Sequence, residues 1–140
     1  MKIKFDNTYI INLDKDTERF ESVIKECSKV GITNPKKIKG VYGKDLTPEE
    51  MSKDVQFIYS KIGLRSAIGC ALSHVKTWKT MVENNDDYAL ILEDDIFFAK
   101  DFAERINDIQ VPDDFGILYL GCLLGCDINK EYGIEFPLTK

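Results

Sequence analysis

Long apolar runs are missing from this 140-residue sequence. No stretch approaches the roughly 18 consecutive apolar residues that a transmembrane helix needs, and residues 1–6 lack the apolar core of a signal peptide. Internal repeats, low-complexity tracts and Gly/Ser linkers are also missing, so no feature of the sequence divides the chain. We therefore expect a single domain over residues 1–140, in a protein that is cytoplasmic or peripheral at a membrane.

Cysteine and histidine are scarce, which limits the metal and redox chemistry open to the chain. It has four cysteines and one histidine, and it lacks a C-x-x-C pair. Cys27 and Cys70 fall within apolar helical patterns, so we predict that both are core thiols of a protein in a reducing compartment. Cys122 and Cys126, with the distant His74, make a poor zinc site.

The chain also lacks an excess of positive charge and a phosphate-binding loop. Its formal net charge is −5 and its pI is about 4.9, which argues against a nucleic-acid-binding protein and against general binding to anionic membranes. The segment from Gly121 to Gly125 is not followed by the Lys-Ser/Thr pair of a glycine-rich phosphate loop. An anionic substrate would therefore be bound by a metal ion or by a few cationic side chains.

Hydrophobic periodicity and capping signals predict alternating strands and helices. The predicted strands run from Thr8 to Leu13, from Lys37 to Val41, within residues 88–96 and from Phe115 to Leu120. The predicted helices run from an N-cap at Asp16 to a stop at Gly31, from Pro48 after a Thr47/Glu50 capping box, from Ser66 to Glu83, and from Asp101 to Ile109. Residues 54–63 are expected to be mostly loop. This order predicts an α/β fold with an open, mostly parallel sheet and helices on both faces.

The helix from Ser66 to Glu83 has a clear apolar periodicity that predicts its buried face. The predicted core residues of this helix are Ile68, Ala71, Leu72, Val75, Trp78 and Val82. The apolar positions of the first predicted helix are Phe20, Val23, Ile24, Cys27 and Val30.

Three consecutive carboxylates, Glu93, Asp94 and Asp95, follow the apolar run Tyr88 to Leu92, which is typical of a strand covered on both faces. Strand alternation would direct Glu93 and Asp95 to one side and Asp94 to the other, so that Glu93 and Asp95 could share a cation. Hard oxygen ligands favour magnesium, manganese or calcium. A solvated acidic loop explains the same residues without a metal, and the local pattern alone does not decide between the two.

Other candidate residues also have a structural alternative. Asn12, at the end of the first strand, could bind a ligand or satisfy the following turn. Arg19 could bind a phosphate or lie on a solvated helix face. His74 is expected, from its helical neighbours alone, to be a core or boundary residue with one structural hydrogen bond.

Three motifs in order resemble glycosyltransferase family 25. They are Ile11-Asn-Leu13 with Glu18-Arg19, the run Ile68-Gly-Cys-Ala-Leu-Ser-His74 with Trp78, and Leu92-Glu-Asp-Asp-Ile96. The resemblance covers about residues 8 to 121. It implies a GT-A-type transferase that uses a UDP-sugar, usually UDP-galactose, with Mn²⁺ or Mg²⁺. The implied acceptor is a glycan, a lipid-linked sugar such as lipooligosaccharide, or a protein hydroxyl.

The resemblance also implies roles for individual residues. Glu93 and Asp95 correspond to the metal-binding acidic element of the family. The implied donor-binding residues are Asn12, Leu13, Arg19, Ser73, His74 and Asp94. The resemblance supplies no residue for the catalytic base.

The sequence departs from the family in two ways. Ala67 stands where family members frequently have Glu before Ile-Gly-Cys, and the chain ends about 45 residues after Asp95, so we expect an incomplete acceptor-binding part. These departures leave a non-catalytic sugar-nucleotide-binding or protein-binding domain as the alternative function. A magnesium-dependent phosphoryl-transfer domain of receiver-like size, phosphorylated on Asp94 or Asp95, is a third hypothesis.

Overall fold

The computed structural model describes residues 5–54, 65–112 and 114–121 of the chain. Residues Phe5–Ala99 form one compact unit, and the described residues from Lys100 onward belong to a second. The elements in chain order are β1 (Thr8–Asn12), α1 (Thr17–Lys29), β2 (Lys36–Lys39), a 3₁₀ turn (Gly43–Asp45), α2 (Pro48–Asp54), α3 (Arg65–Glu83), β3 (Leu90–Glu93) and α4 (Phe102–Asp108).

The first unit is built on a three-stranded sheet in the order β2-β1-β3, and both strand pairs are parallel. The predicted α/β fold with an open parallel sheet is therefore confirmed. Because β2 and β3 lie on opposite sides of β1, the chain reverses its direction of winding between β1 and β3. In open α/β sheets, such a switch point leaves a crevice at the carboxyl ends of the strands.

Helices cover both faces of the sheet. On one face, Ile10 of β1 and Leu92 of β3 pack with Val23 and Cys27 of α1, and these residues are buried. This packing confirms the predicted apolar face of α1 and the core position of Cys27. Tyr9 points to the opposite face because side chains alternate along a strand, and its hydroxyl is bonded to two residues that follow α3.

Tyr9 joins the sheet to the end of α3. Its buried ring carries a hydroxyl that donates to Asp86 Oδ2 at 2.5 Å and accepts from Asn84 Nδ2 at 2.8 Å. We expect Tyr9→Phe to lower the free energy of unfolding by about 1–2 kcal/mol, because it removes a hydrogen bond to a charged partner. Urea denaturation measures the change. Tyr119→Phe is the matched control, since Tyr119 is 77% exposed and its hydroxyl is accessible to water. An equal effect of the two substitutions would contradict the role of Tyr9.

The buried face of α3 differs from the predicted one. Trp78 is 44% exposed and Val82 is 77% exposed, whereas the small residues Gly69, Ser73 and Thr77 are buried with Ile68. The reason is the close approach of α3 to the loop after β2, which only small side chains permit. A Cβ atom on Gly69 would lie 2.6 Å from the backbone nitrogen of Gly43.

Several boundaries and local features can be compared with their predictions. The Thr47/Glu50 capping box is confirmed by reciprocal hydrogen bonds of 2.8 and 3.2 Å. Asp16 occupies the N-cap position of α1, but its side chain makes no capping hydrogen bond. β2 begins and ends earlier than predicted, at Lys36–Lys39, and α4 closely matches its prediction. The loop predicted at 54–63 falls, beyond residue 54, outside the described residues.

The strand predicted from Phe115 to Leu120 is wrong, because the described residues of this segment form no strand. Ile117 and Tyr119 are exposed. A strand needs a neighbouring backbone to pair with, and apolar composition alone does not provide one. None of the helices in the described ranges is long and apolar enough to cross a lipid bilayer.

Candidate functional site

Asn12 lies where the central strand reaches the carboxyl edge of the sheet. It is only 1% exposed, and its Nδ2 donates to Asp94 Oδ2 at 2.6 Å and to the Asp16 carbonyl oxygen at 2.9 Å. Among the residues described, Asn12 Oδ1 has no hydrogen-bond partner. Because Asp94 directly follows β3, the first of these bonds spans the switch point between β1 and β3. The buried amide therefore holds Asp94 at the crevice. Asp94 is one of the three consecutive carboxylates at residues 93–95, which we call the acidic trio.

Arg19, in the first turn of α1, forms ion pairs with two carboxylates of the trio. Its Nη2 lies 2.7 Å from Asp94 Oδ1 and 2.7 Å from Asp95 Oδ2. β3 ends at Glu93 and Asp94-Asp95 form a turn, so the strand alternation does not extend past Glu93. Asp94 and Asp95 therefore share the guanidinium group of Arg19 as a cationic partner. The metal-binding role of Glu93 and Asp95 stays a prediction.

Glu93 contacts α3 instead. Its Oε1 lies 3.2 Å from His74 Nε2 and accepts a hydrogen bond from Cys70 Sγ at 3.5 Å. Cys70 and His74 are one helical turn apart and therefore share a face of α3. The prediction that Cys70 is a core thiol is wrong, because Cys70 is exposed at this edge. Partial burial of its sulfur raises the pKa of the Cys70 thiol, and the negative charges of Glu93 and Asp95 raise it further.

Ser73 and Leu13 make structural hydrogen bonds near this edge of the sheet. The buried Ser73 hydroxyl accepts a hydrogen bond from the Val41 backbone amide at 2.8 Å and donates to the Gly69 carbonyl oxygen at 2.7 Å. The Leu13 carbonyl oxygen accepts a hydrogen bond from the Asp16 amide in the turn between β1 and α1. Ser73 therefore holds the loop after β2 against α3. Leu13 belongs to the loop between β1 and α1, which borders the crevice.

Lysine side chains flank the same edge at the surface. Lys39 Nζ lies 2.7 Å from Asp14 Oδ2, and Lys37 Nζ lies 3.6 Å from Asp14 Oδ1. The hydrogen bond from Lys39 lowers the pKa of the Asp14 carboxyl group. Lys15 lies over the Tyr42 ring at 3.8 Å from its centroid. The ion pairs of Asp14 are at the exposed surface, so they contribute little stability.

The acidic trio has the chemistry of a site for a hard cation. Three carboxylates lie at consecutive positions, and a guanidinium group already bridges two of them, which shows that this turn accommodates positive charge. Oxygen ligands of this kind suit Mg²⁺ or Mn²⁺. The side chain of Arg19 is 48% exposed, so it can leave Asp94 and Asp95 without opening the core.

The apolar helical pattern assigned Cys70 to the core, and the implied donor-binding residues did not include it, although its thiol lies at this edge. The available signal was its position four residues before His74, on a helix expected near an acidic strand end. The hydrogen bond between Asn12 and Asp94 was also not predicted. The two residues are far apart in the chain, and they meet only because β3 pairs with β1 in the sheet.

Comparisons with known proteins agree on one family. The model of glycosyltransferase family 25 (LPS biosynthesis protein) matches residues 5–131. Procollagen galactosyltransferase 1-B of Xenopus laevis is 28% identical over 133 residues, which cover 86% of this chain and 22% of that protein. A glycosyltransferase 25 family member of Anopheles gambiae is 30% identical, with 86% and 22% covered. Human procollagen galactosyltransferase 2 is 27% identical, with 86% and 21% covered.

The chain thus spans about a fifth of the length of these relatives. No solved structure matches it significantly.

Proposed function

This chain belongs to glycosyltransferase family 25, and from that premise we propose that it is the donor-binding part of a GT-A-type glycosyltransferase. The proposed reaction moves a hexose, galactose first among the candidates, from a UDP-sugar to a hydroxyl group of a glycan, a lipid-linked sugar or a protein. We further propose a cytoplasmic location, peripheral at a membrane when the acceptor is lipid-linked.

The observation that carries this proposal is the link between Asn12, Asp94, Arg19 and Asp95 at the switch point between β1 and β3. Ligands of open α/β sheets bind in such crevices. A cluster in which a buried amide and a cation hold carboxylates in place supports binding of a charged ligand better than a solvated acidic loop, whose side chains would not need these partners.

In the proposed site, Glu93 and Asp95 would hold Mn²⁺ or Mg²⁺, with Asp94 contributing to the negative charge. When bound, such an ion would neutralise charge on the diphosphate and stabilise the departing nucleotide. Arg19 would then exchange its carboxylate partners for phosphate oxygens, which its planar guanidinium group binds well. Asn12 would keep Asp94 in position throughout.

Further residues of the proposed donor site act on orientation. The hydrogen bonds of Ser73 hold the loop after β2 against α3, while His74 limits the positions open to the Glu93 carboxylate. Leu13 would line the crevice beside Asn12. The resemblance favours transfer with inversion, which requires a base that accepts the proton of the acceptor hydroxyl. We assign that role to none of the described residues.

Ala67, at the position before Ile68-Gly-Cys where family members frequently have Glu, favours one alternative, a domain that binds the nucleotide sugar without transferring it. Incubation with UDP-galactose, Mn²⁺ and a panel of sugar and procollagen-peptide acceptors separates the two functions by the UDP released. If the protein is a transferase, UDP release should rise when an acceptor is added and stop when Mn²⁺ is chelated. Saturable UDP-galactose binding without release would favour the binding domain, and absence of both would contradict each of them.

A further inference from the structure

Three potential metal ligands of different chemistry lie together beside the turn formed by Asp94 and Asp95, which we call the acidic turn. Cys70 Sγ, His74 Nε2 and a Glu93 carboxylate oxygen all lie within 4.8 Å of one another. Cys70 and His74 come from one face of α3, and Glu93 comes from the end of β3. This trio is distinct from the carboxylate pair that Arg19 bridges, although Glu93 adjoins both.

Two of the three separations between these atoms match a tetrahedral zinc site, and the third is below 4.8 Å. At usual zinc bond lengths, a nitrogen and an oxygen ligand lie about 3.3 Å apart, and a sulfur and an oxygen ligand about 3.5 Å apart. The corresponding distances are 3.2 Å from His74 Nε2 to Glu93 Oε1 and 3.5 Å from Cys70 Sγ to Glu93 Oε1. The ligand atoms are therefore close to their binding positions while hydrogen bonds hold them.

The ligand set selects the type of ion. A thiolate and an imidazole favour zinc and similar borderline or soft ions, whereas Mg²⁺ and Mn²⁺ prefer sites made of oxygen alone. Three protein ligands leave the fourth position of a tetrahedral site open to water or to another ligand. Cys70 is exposed and His74 and Glu93 are partly exposed, so an ion can reach the trio from solvent.

We propose that Cys70, His74 and Glu93 form a binding site for Zn²⁺, and that zinc in this site competes with the nucleotide sugar by withdrawing Glu93. Zinc binding releases the thiol proton of Cys70 to solvent and places a thiolate, an imidazole and a carboxylate on the ion. The zinc site stands on its own geometry, and only the competition rests on the proposed function.

Zinc binding is tested on the chain without nucleotide. The protein carries Cys122→Ser and Cys126→Ser in all samples, any histidine tag is removed, and a phosphine keeps the thiols reduced without adding a thiol ligand. Competition with a chromophoric chelator measures zinc affinity, and Co²⁺ reports the ligand type. We expect one-to-one binding and a thiolate-to-cobalt charge-transfer band. Cys27 is fully buried, so it does not supply that band in the folded protein.

Cys70→Ala should weaken zinc binding by at least about tenfold and remove the charge-transfer band, because one of three ligands is lost. His74→Asn should weaken zinc binding similarly, and its effect is unambiguous because His74 is the only histidine. Since Cys70 is exposed, its replacement leaves the core unchanged. Absence of zinc binding, absence of the band, or unchanged affinity in both variants would overturn the proposal.

Competition is measured as the ratio of UDP affinity in Mn²⁺ with and without equimolar Zn²⁺, within each variant. We expect zinc to weaken UDP binding in the parent protein and to have little effect in Cys70→Ala. An equal zinc effect in both proteins would overturn the competition. Zinc binding without any UDP binding would instead contradict the proposed function while leaving the zinc site intact.

Discussion

Asp95→Ala is expected to abolish Mn²⁺-dependent binding of UDP, with a loss of affinity of at least about a hundredfold, because it removes a proposed metal ligand. Equilibrium dialysis with labelled UDP, at fixed Mn²⁺, measures the loss. The fold should remain intact. Asp95 is half-exposed and its ion pair with Arg19 is also at the surface, where such pairs contribute about 0–1 kcal/mol.

The direction of this change separates a metal site from simple electrostatics. Without a metal, removing a carboxylate would reduce the repulsion of an anionic nucleotide, so UDP would bind equally well or more tightly. Asp87→Ala is the matched control, because it removes an exposed carboxylate of the same unit that lies before β3. It should leave UDP affinity unchanged within about twofold. Unchanged or higher affinity in Asp95→Ala would exclude the assignment of Asp95 as a metal ligand.

Gly69→Ala is expected to destabilise the protein at the contact between α3 and the loop after β2. The added Cβ would lie 2.6 Å from the Gly43 nitrogen and 2.6 Å from the Val41 carbonyl oxygen, and backbone atoms cannot move aside as a flexible side chain can. Alanine gains about 1 kcal/mol of helix propensity over glycine, and overpacking offsets this gain. We expect a net decrease of about 1–3 kcal/mol in the free energy of unfolding.

Urea denaturation followed by the fluorescence of the single tryptophan, Trp78, measures this decrease on the affected helix. Gly116→Ala is the control, since a Cβ there would meet nothing within 4 Å. Its effect should stay within about 0.5 kcal/mol. Gly43→Ala should resemble Gly69→Ala, because its Cβ would overlap the Arg65 carbonyl group on the other side of the same contact. A stabilising Gly69→Ala would show that α3 does not approach the loop this closely.

Elements with strong local signals were predictable from sequence. The apolar period of α1 identified Val23 and Cys27 as core residues, and the spacing of Thr47 and Glu50 predicted a capping box that the hydrogen bonds confirm. In these cases the interactions lie within one element or one turn. A local pattern therefore contains the information that determines the structure.

The burial of α3 shows where periodicity misleads. Its large apolar residues outline a face that includes Trp78 and Val82, yet the helix buries Gly69, Ser73 and Thr77 instead. Small residues at four-residue spacing are the signal for close helix contact, and they are easily overlooked beside a row of large apolar side chains. The distance between α3 and the loop after β2 depends on tertiary packing, which apolar periodicity does not report.

The acidic turn shows a different limit. Strand alternation applies only while the strand continues, and β3 ends at Glu93. Asp94 and Asp95 therefore take positions set by a turn and by Arg19 from α1. The sequence predicted which carboxylates lie at the strand end, whereas their partners depend on the order β2-β1-β3, which joins residues far apart in the chain.

The central claim is that the acidic turn binds a nucleotide diphosphate through a divalent cation. It is tested by calorimetric titration of UDP into the 140-residue chain, first in Mn²⁺ and again after chelation with EDTA. We predict saturable one-to-one binding in Mn²⁺ that weakens by at least about tenfold when the metal is removed. Equal affinity under both conditions, or no saturable binding in Mn²⁺, would contradict a metal-assisted donor site at Glu93 and Asp95.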